Sequence, residues 1–226
     1  MTMQSSWLSS GKVLELRGML EEVCHLSEYK RICTGVPELD GIGIFQGAVT
    51  EITLPETQGE RTISSILLLY ALLHTYVRGD RAALVDGCDC FQPRALPQGD
   101  VERLLWVRCR NAGEAMQAAD YVARDGNFPL VVLLLMLNPD GELRRIPVAV
   151  WHRLQLLLEK SGAAMLVFTP FALVSNARLR IGTAGSFPLD MLQRRRLDLL
   201  AGVRVNVMRR RGKGGWDEAL CRSSGA

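Results

Sequence analysis

Leu130-Val131-Val132-Leu133-Leu134-Leu135-Met136-Leu137 is an unbroken apolar run of eight residues in a chain of 226. A strand with one wet face alternates apolar and polar side chains, so a continuous run of this length marks a strand covered on both faces. Four more apolar runs of strand length flank it in sequence: Val49 to Leu54, Ala82 to Val85, Leu104 to Val107 and Ala164 to Phe168. Between them lie segments of helix length, Ile63 to Arg78, Ala112 to Arg124 and Val148 to Lys160. In the second, Ala115, Ala118, Ala119 and Val122 recur at i, i+3, i+4 and i+7, an apolar stripe that faces a sheet. The first is apolar nearly all round, which predicts deep packing. Strand and helix alternating in this way predict an α/β protein with a mainly parallel central sheet flanked by helices.

Punctuation agrees with these bounds. Gly79-Asp80 follows the first long helix, Gly126-Asn127 and Pro129 precede the central strand, and Ser161-Gly162 closes the next helix. After Pro170 the pattern changes. Arg178-Leu179-Arg180-Ile181 and Val203-Arg204-Val205-Asn206-Val207-Met208-Arg209 alternate polar with apolar, which predicts half-exposed edge strands carrying their arginines outward. Pro188 to Ala201, between them, reads either as a short helix begun by Pro188 or as an extended excursion. Val13, Leu16, Met19, Leu20, Val23 and Leu26 give the N-terminal stretch a helical stripe. The organisation expected is a helical segment over 1–30 and an α/β core with basic C-terminal strands and tail over 31–226.

Composition narrows the class. With 48% hydrophobic and 23% charged residues the chain can fill a core, which excludes a disordered or collagen-like protein. Its longest apolar run is far short of the roughly 20 residues that cross a bilayer as a helix. Met1 to Gly11 is polar and unlike a secretory leader, so a cytoplasmic protein is expected. The cysteines at 24, 33, 88, 90, 109 and 221 include no Cys-x-x-Cys pair and read as reduced thiols; Cys88-x-Cys90 reads as structural, and no metal is expected. Charge is uneven along the chain. Residues 176 to 226 hold eleven Arg or Lys against four acids, a balance of +7 within a total of +3. Such a segment either meets a negative partner, nucleic acid or an acidic protein face, or is a solvated basic end.

The first strand runs into its helix through Pro55-Glu56-Thr57-Gln58-Gly59-Glu60-Arg61-Thr62, the place where an α/β protein carries a phosphate-binding loop. A working loop reads G-x-x-x-x-G-K-[ST], its Lys neutralising phosphates and its hydroxyl holding magnesium. Here Leu54 replaces the first Gly, Glu60 the Lys and Arg61 the Ser or Thr, and Gly59 alone matches. One charge contact at about 4 Å and an effective dielectric of about 20 is worth roughly 4 kcal/mol, and a glutamate turns that attraction into repulsion. The second strand leaves Asp86 or Asp89 as an available carboxylate, while the central run has no acid where a magnesium ligand would end it. The loop is therefore expected to be vestigial, with no nucleotide cofactor and no catalysis. His25, His74 and His152 lie in separate segments and form no triad or zinc pattern, and Ser64, Ser65 and Ser175 lie in no nucleophile-elbow phrase.

Thr34-Gly35-Val36-Pro37-Glu38-Leu39-Asp40 and Gln46-Gly47-Ala48-Val49-Thr50-Glu51-Ile52 together resemble the entry to the ATPase core of the RecA recombinases. Where that family carries a catalytic Glu after its next strand, this chain has Cys88. The Gly59-Glu60 pair, Leu104-Leu105-Trp106-Val107-Arg108 followed by Gly113-Glu114-Ala115, Trp151-His152-Arg153-Leu154-Gln155-Leu156 and Arg209-Arg210-Arg211-Gly212 are similar to a degenerate branch, the ImuA proteins, with the SulA cell-division inhibitors as cousins. The resemblance covers about Thr34 to Lys213.

It implies a RecA-like core and a non-catalytic accessory role in DNA-damage-induced translesion mutagenesis. Its partners would be an ImuB-like Y-family polymerase homologue, an error-prone DnaE-type polymerase and RecA, with non-specific DNA contact through the basic end. Alternative expectations are a SulA-like division inhibitor or a modulator of RecA filaments. Contact residues expected for the partner or DNA are Arg194, Arg195, Arg196, Arg209, Arg210, Arg211 and Lys213. No aromatic base-stacking phrase and no helix-turn-helix accompany them, so sequence-blind phosphate contact is the expected mode.

Overall fold

A computed structural model describes residues 30–54, 61–185, 199–212 and 215–217. Its main sheet has eight strands: β3 (Val49–Thr53), β4 (Ala82–Asp86), β5 (Leu104–Arg108), β6 (Leu130–Leu134), β7 (Ala164–Thr169), β8 (Leu179–Gly185), β9 (Val203–Gly212) and β10 (Gly215–Asp217). They lie in the order β10-β9-β8-β3-β7-β6-β4-β5. From β8 to β5 every pair is parallel, while β9 and β10 extend the sheet antiparallel. A small hairpin, β1 (Arg31–Ile32) with β2 (Ile44–Phe45), precedes it. The predicted strand bounds hold to within one residue for β3, β4, β5 and β7. The apolar run beginning at Leu130 leaves the ladder after Leu134 and continues as buried chain through Met136.

Both faces of the sheet are covered, as continuous apolar strands require. Helix α1 (Pro37–Ile42) and the long α2 (Arg61–Tyr76) pack with even-numbered strand residues such as Ile52, Leu84 and Val132. On the other face α4 (Ala112–Asp125) and α6 (Val148–Ser161) bury Val49, Val85, Val131 and Val167. Short α3 (Gln98–Val101) and α5 (Asp140–Leu143) fill connections. Local chemistry sets the ends of the outer pair. Asn111 caps α4 by accepting the Glu114 amide at 2.9 Å, and Gly126 and Gly162 end α4 and α6 at left-handed φ of 73° and 72°, which glycine adopts without strain.

The arginines of the last strands depart from the alternation reading. Arg180 turns inward, its side chain only 14% exposed, to meet buried Glu51. Arg209 and Arg210 are half-buried rather than outward; Arg204 is exposed. A register shift opposite Arg180 and Ile181 breaks the period-two pattern: Arg180 pairs Arg209 while Ile181 pairs Val207, so Met208 is the extra residue. The predicted helical segment over 1–30 lies outside the described residues except for Lys30, as do residues 188–198 of the segment 188–201; its described end, from Leu199, runs into a single tight turn at Leu200–Gly202. No helix among the described residues is long and apolar enough to cross a membrane.

Candidate functional site

The C-terminal ends of the parallel strands form the edge where open α/β sheets take ligands. Of the vestigial loop, residues 55–60 lie outside the described residues, and Arg61 and Thr62 open α2. The rest of this edge is closed by its own hydrogen bonds. Asp86, fully buried at the end of β4, accepts the Phe91 amide at 2.8 Å, the Cys90 amide at 3.1 Å and the Trp106 indole N–H at 3.3 Å. The Gly87 amide donates to the Leu134 carbonyl at 2.9 Å, and Asn138 Nδ2 donates to the Gly87 carbonyl at 2.8 Å. A side chain at 87 would come within 2.9 Å of that Leu134 oxygen, so glycine is what lets the ends of β4 and β6 close on each other.

Asp86 is thus not an available carboxylate, which corrects the sequence expectation. It organises the turn from Gly87 to Phe91. Asp89 is also engaged, holding Arg108 through two bonds of 2.7 and 2.5 Å at the surface; the guanidinium beside it keeps its carboxyl below the usual range. In the register of the sheet Asp86 stands beside Leu134 and Leu134 beside Phe168, and Leu135 and Met136 follow, all apolar. Donors of this kind do not fit a magnesium–nucleotide complex, which asks for a hard carboxylate free to face the metal.

Positive φ at Asp89 (53°) turns Cys88 and Cys90 back toward Asp86, and the three ligand atoms lie within 4.8 Å of one another. Burial, then the Asp86 charge, pushes the Cys90 thiol far up; burial also raises Cys88 and Cys109. Such thiols stay protonated and unreactive. With both carboxylate oxygens already accepting N–H groups, the trio is a hydrogen-bonded corner of the fold. Beside it, Ile66, Leu69, Tyr70, Phe91, Met136 and Leu137 line most of an apolar hollow of about 220 Å³. Its mouth is greasy as well: Leu137 is 50% exposed. A hollow of this composition accepts an apolar side chain, not a phosphate.

Sequence reasoning missed a second buried acid. Glu51, in the middle of β3, is fully buried and accepts from Thr169 Oγ1, the Leu173 and Val174 amides and Arg180 Nε, the last at 2.6 Å. It fixes the chain between β7 and β8. The only sequence sign was an acid inside an otherwise buried strand, a placement that demands a partner.

The basic residues divide. Arg194, Arg195, Arg196 and Lys213 lie outside the described residues. Arg209 donates to the Ser175 carbonyl at 3.1 Å, and Arg210 to the Ile42 carbonyl at 2.7 Å, on opposite faces of β9. Burial and neighbouring arginines hold both guanidinium pKa values below the usual range. Arg211 is half-buried and pairs across the ladder with Trp216. The histidines stay apart: His74 Nδ1 meets Asp100 at 2.5 Å, His152 is exposed, and His25 lies outside the described residues. Ser64 and Ser65 are buried, the latter 2.7 Å from the Thr183 hydroxyl.

No family model matches the chain. Over 192 residues, 79% of this chain and 54% of the other, it is 29% identical to the protein RecA of Cutibacterium acnes. Over 194 residues, 80% of this chain and 55% of the other, it is 29% identical to the RecA of Chlorobaculum parvum. A third, from Leifsonia xyli subsp. xyli, is 27% identical over 177 residues, 74% and 48% of the two chains. The similarity and the mainly parallel sheet agree. The core is RecA-like. This chain spans about half the length of the curated relatives it matches. Its RecA-like core carries, at the edge described above, apolar and self-satisfied groups.

Proposed function

We propose that this RecA-related chain is a non-catalytic accessory protein of the DNA-damage response, assembling an ImuB-like Y-family homologue with an error-prone DnaE-type polymerase for translesion synthesis. The observation that carries this reading is the C-terminal edge of the sheet. Asp86 is consumed by the turn it organises, β6 ends in Leu134-Leu135-Met136, and the hollow alongside is apolar. Together with Glu60 in place of the phosphate-loop lysine, this supports loss of nucleotide chemistry and retention of the scaffold. An apolar hollow with an exposed rim also suits a protein partner's anchor residue.

Calorimetry with ATP and magnesium is expected to give no binding in the micromolar range, and tagged protein is expected to capture an ImuB-like partner. Micromolar ATP affinity would return the chain to the ATPases. Absence of capture, with damage-induced mutation unchanged when the gene is lost, would remove the translesion role. Likeness to RecA itself favours a second reading, in which the RecA-like body caps a RecA filament. Strand-exchange assays unaffected by excess protein would exclude it.

A further inference from the structure

The outer face of α4 and α6 carries a groove of about 620 Å³, within the range of about 300–1,000 Å³ common for binding sites. It lies across the sheet from α2 and the apolar hollow. Where the two helices meet, its lining is apolar: Met116 is buried, Ile146 and Val150 are half-buried, and Tyr121 stands at the rim, 72% exposed. An aromatic ring left in water beside such a floor is the kind of group that anchors a partner. The walls are fixed. Asp120 of α4 accepts the Arg153 fork of α6 through both oxygens, at 2.7 and 3.0 Å, and Arg124 of its own helix at 2.9 Å. Below them Ala115, Ala119, Trp151 and Leu154 seat both helices on the sheet. The groove is preformed, which lowers the cost of filling it.

The acids of this surface are engaged within it, while its cations project. Asp120 serves two guanidiniums, and Glu142 turns Oε2 to the Ala112 amide at 3.0 Å. Asp140 pairs with Arg144 at 3.9 Å, and Arg144 lies over the Phe171 ring, 4.4 Å from its centroid; neither side chain lines the groove. Arg145 does line it, is exposed, and forms no ion pair or side-chain hydrogen bond among the described residues. Arg153, 61% exposed, shares its one acid with Arg124. The face presented to a partner is therefore apolar in the middle, with positive charge at Arg145 before α6 begins and again at Arg153 further along it.

We propose that the α4–α6 groove docks an acidic amphipathic helix of a partner protein, its apolar stripe on Met116, Tyr121 and Val150 and its carboxylates on Arg145 and Arg153. Two helices side by side leave a furrow into which the side-chain ridges of a third settle. An extended peptide would bring N–H and C=O groups that need partners, and the backbones of α4 and α6 are already bonded within each helix. A helical occupant satisfies its own. Acidic side chains meet the projecting guanidiniums, which sets orientation and excludes basic helices. Nucleic acid is disfavoured by the apolar floor, from which phosphates gain nothing. The inference does not rest on the translesion reading, since it concerns the opposite face from the hollow and stands if no ImuB-like protein is captured.

The test is selection from a random peptide library displayed on phage against the full chain, followed by fluorescence anisotropy with the enriched sequences as labelled synthetic peptides. Enriched peptides are expected to be acidic, to repeat apolar residues at helical spacing, and to gain helical circular dichroism on binding. Tyr121→Ala and Arg145→Glu, both at exposed positions, are each expected to weaken binding about ten-fold. Exchanging the peptide's acids for lysines should restore binding to Arg145→Glu but not to wild type. Thermal unfolding checks that each variant is folded. The proposal is overturned if no peptide is enriched, if the enriched peptides lack acids or bind without becoming helical, or if either folded variant binds them as wild type does. It is overturned as well if single-stranded oligothymidylate displaces the peptide and is equally sensitive to Arg145→Glu, a result that would assign the groove to nucleic acid.

Discussion

The two ends of the sheet treat buried polarity in opposite ways. At the C-terminal end of β4 a single carboxylate, Asp86, gathers two backbone amides and an indole, and every group involved gains a complementary partner. At the other end the Arg31 and Arg178 guanidiniums share one aromatic ring, Phe45, and with burial they hold the Arg210 pKa below the usual range. The first arrangement builds structure and leaves nothing over for a ligand. The second sets positive charges side by side against an aromatic face, a packing that depends on the shape of the ring rather than on a matching acid.

The comparison is broken or sharpened most strongly through Glu51, the acid that binds strand to strand between the two ends. Glu51→Ala is expected to cost about 3–5 kcal/mol by denaturant unfolding, because it strands Arg180 and two amides. Pairing Glu51→Leu with Arg180→Met should recover only part of the loss, since the Leu173 and Val174 amides stay unpaired; full recovery would mean the ion pair alone matters. Asp86→Asn is next, at about 2 kcal/mol, because an amide cannot accept on both sides as the carboxylate does. If Asp86 were instead a spare ligand, that substitution would leave the unfolding midpoint unchanged. Smallest is a kinetic effect: Cys88 and Cys90, with thiol pKa values raised by burial, are expected to alkylate at least about ten-fold more slowly than exposed Cys33 at pH 8. Mass spectrometry of a timed iodoacetamide reaction checks it, and equal rates would mean that the Gly87–Phe91 turn opens readily.

Much of the scaffold was legible because burial on two faces leaves its mark on consecutive residues. Val131 and Val132 point to opposite helix layers, and both had to be apolar. The hairpin pairing Arg31 with Phe45 was not legible: strands of two residues have no period to detect. The partners of the buried acids were hidden for a different reason. Glu51 meets Arg180, 129 positions away, and Asp86 looks in sequence like any carboxylate at a strand end. Side-chain type states what a residue can bond, while topology decides what it does bond. Arginine alternation after Pro170 misled for the same reason, since one extra residue, Met208, reverses which arginine faces in.

Helix α2 ties these observations into one body. At its C-terminal end Thr75 Oγ1 donates to the Thr34 carbonyl at 2.7 Å, and Gly35 lies so close that a Cβ would reach 2.8 Å from Thr75 Cβ. Asp40 in turn accepts the Thr34 and Gly35 amides, locking that turn beside the hairpin that carries Arg31. Sixteen residues of helix span about 24 Å. The strut therefore runs from the phosphate-loop side of the molecule to the root of the β1–β2 hairpin, so a shift at one end of α2 is carried to the other as the movement of a rigid lever.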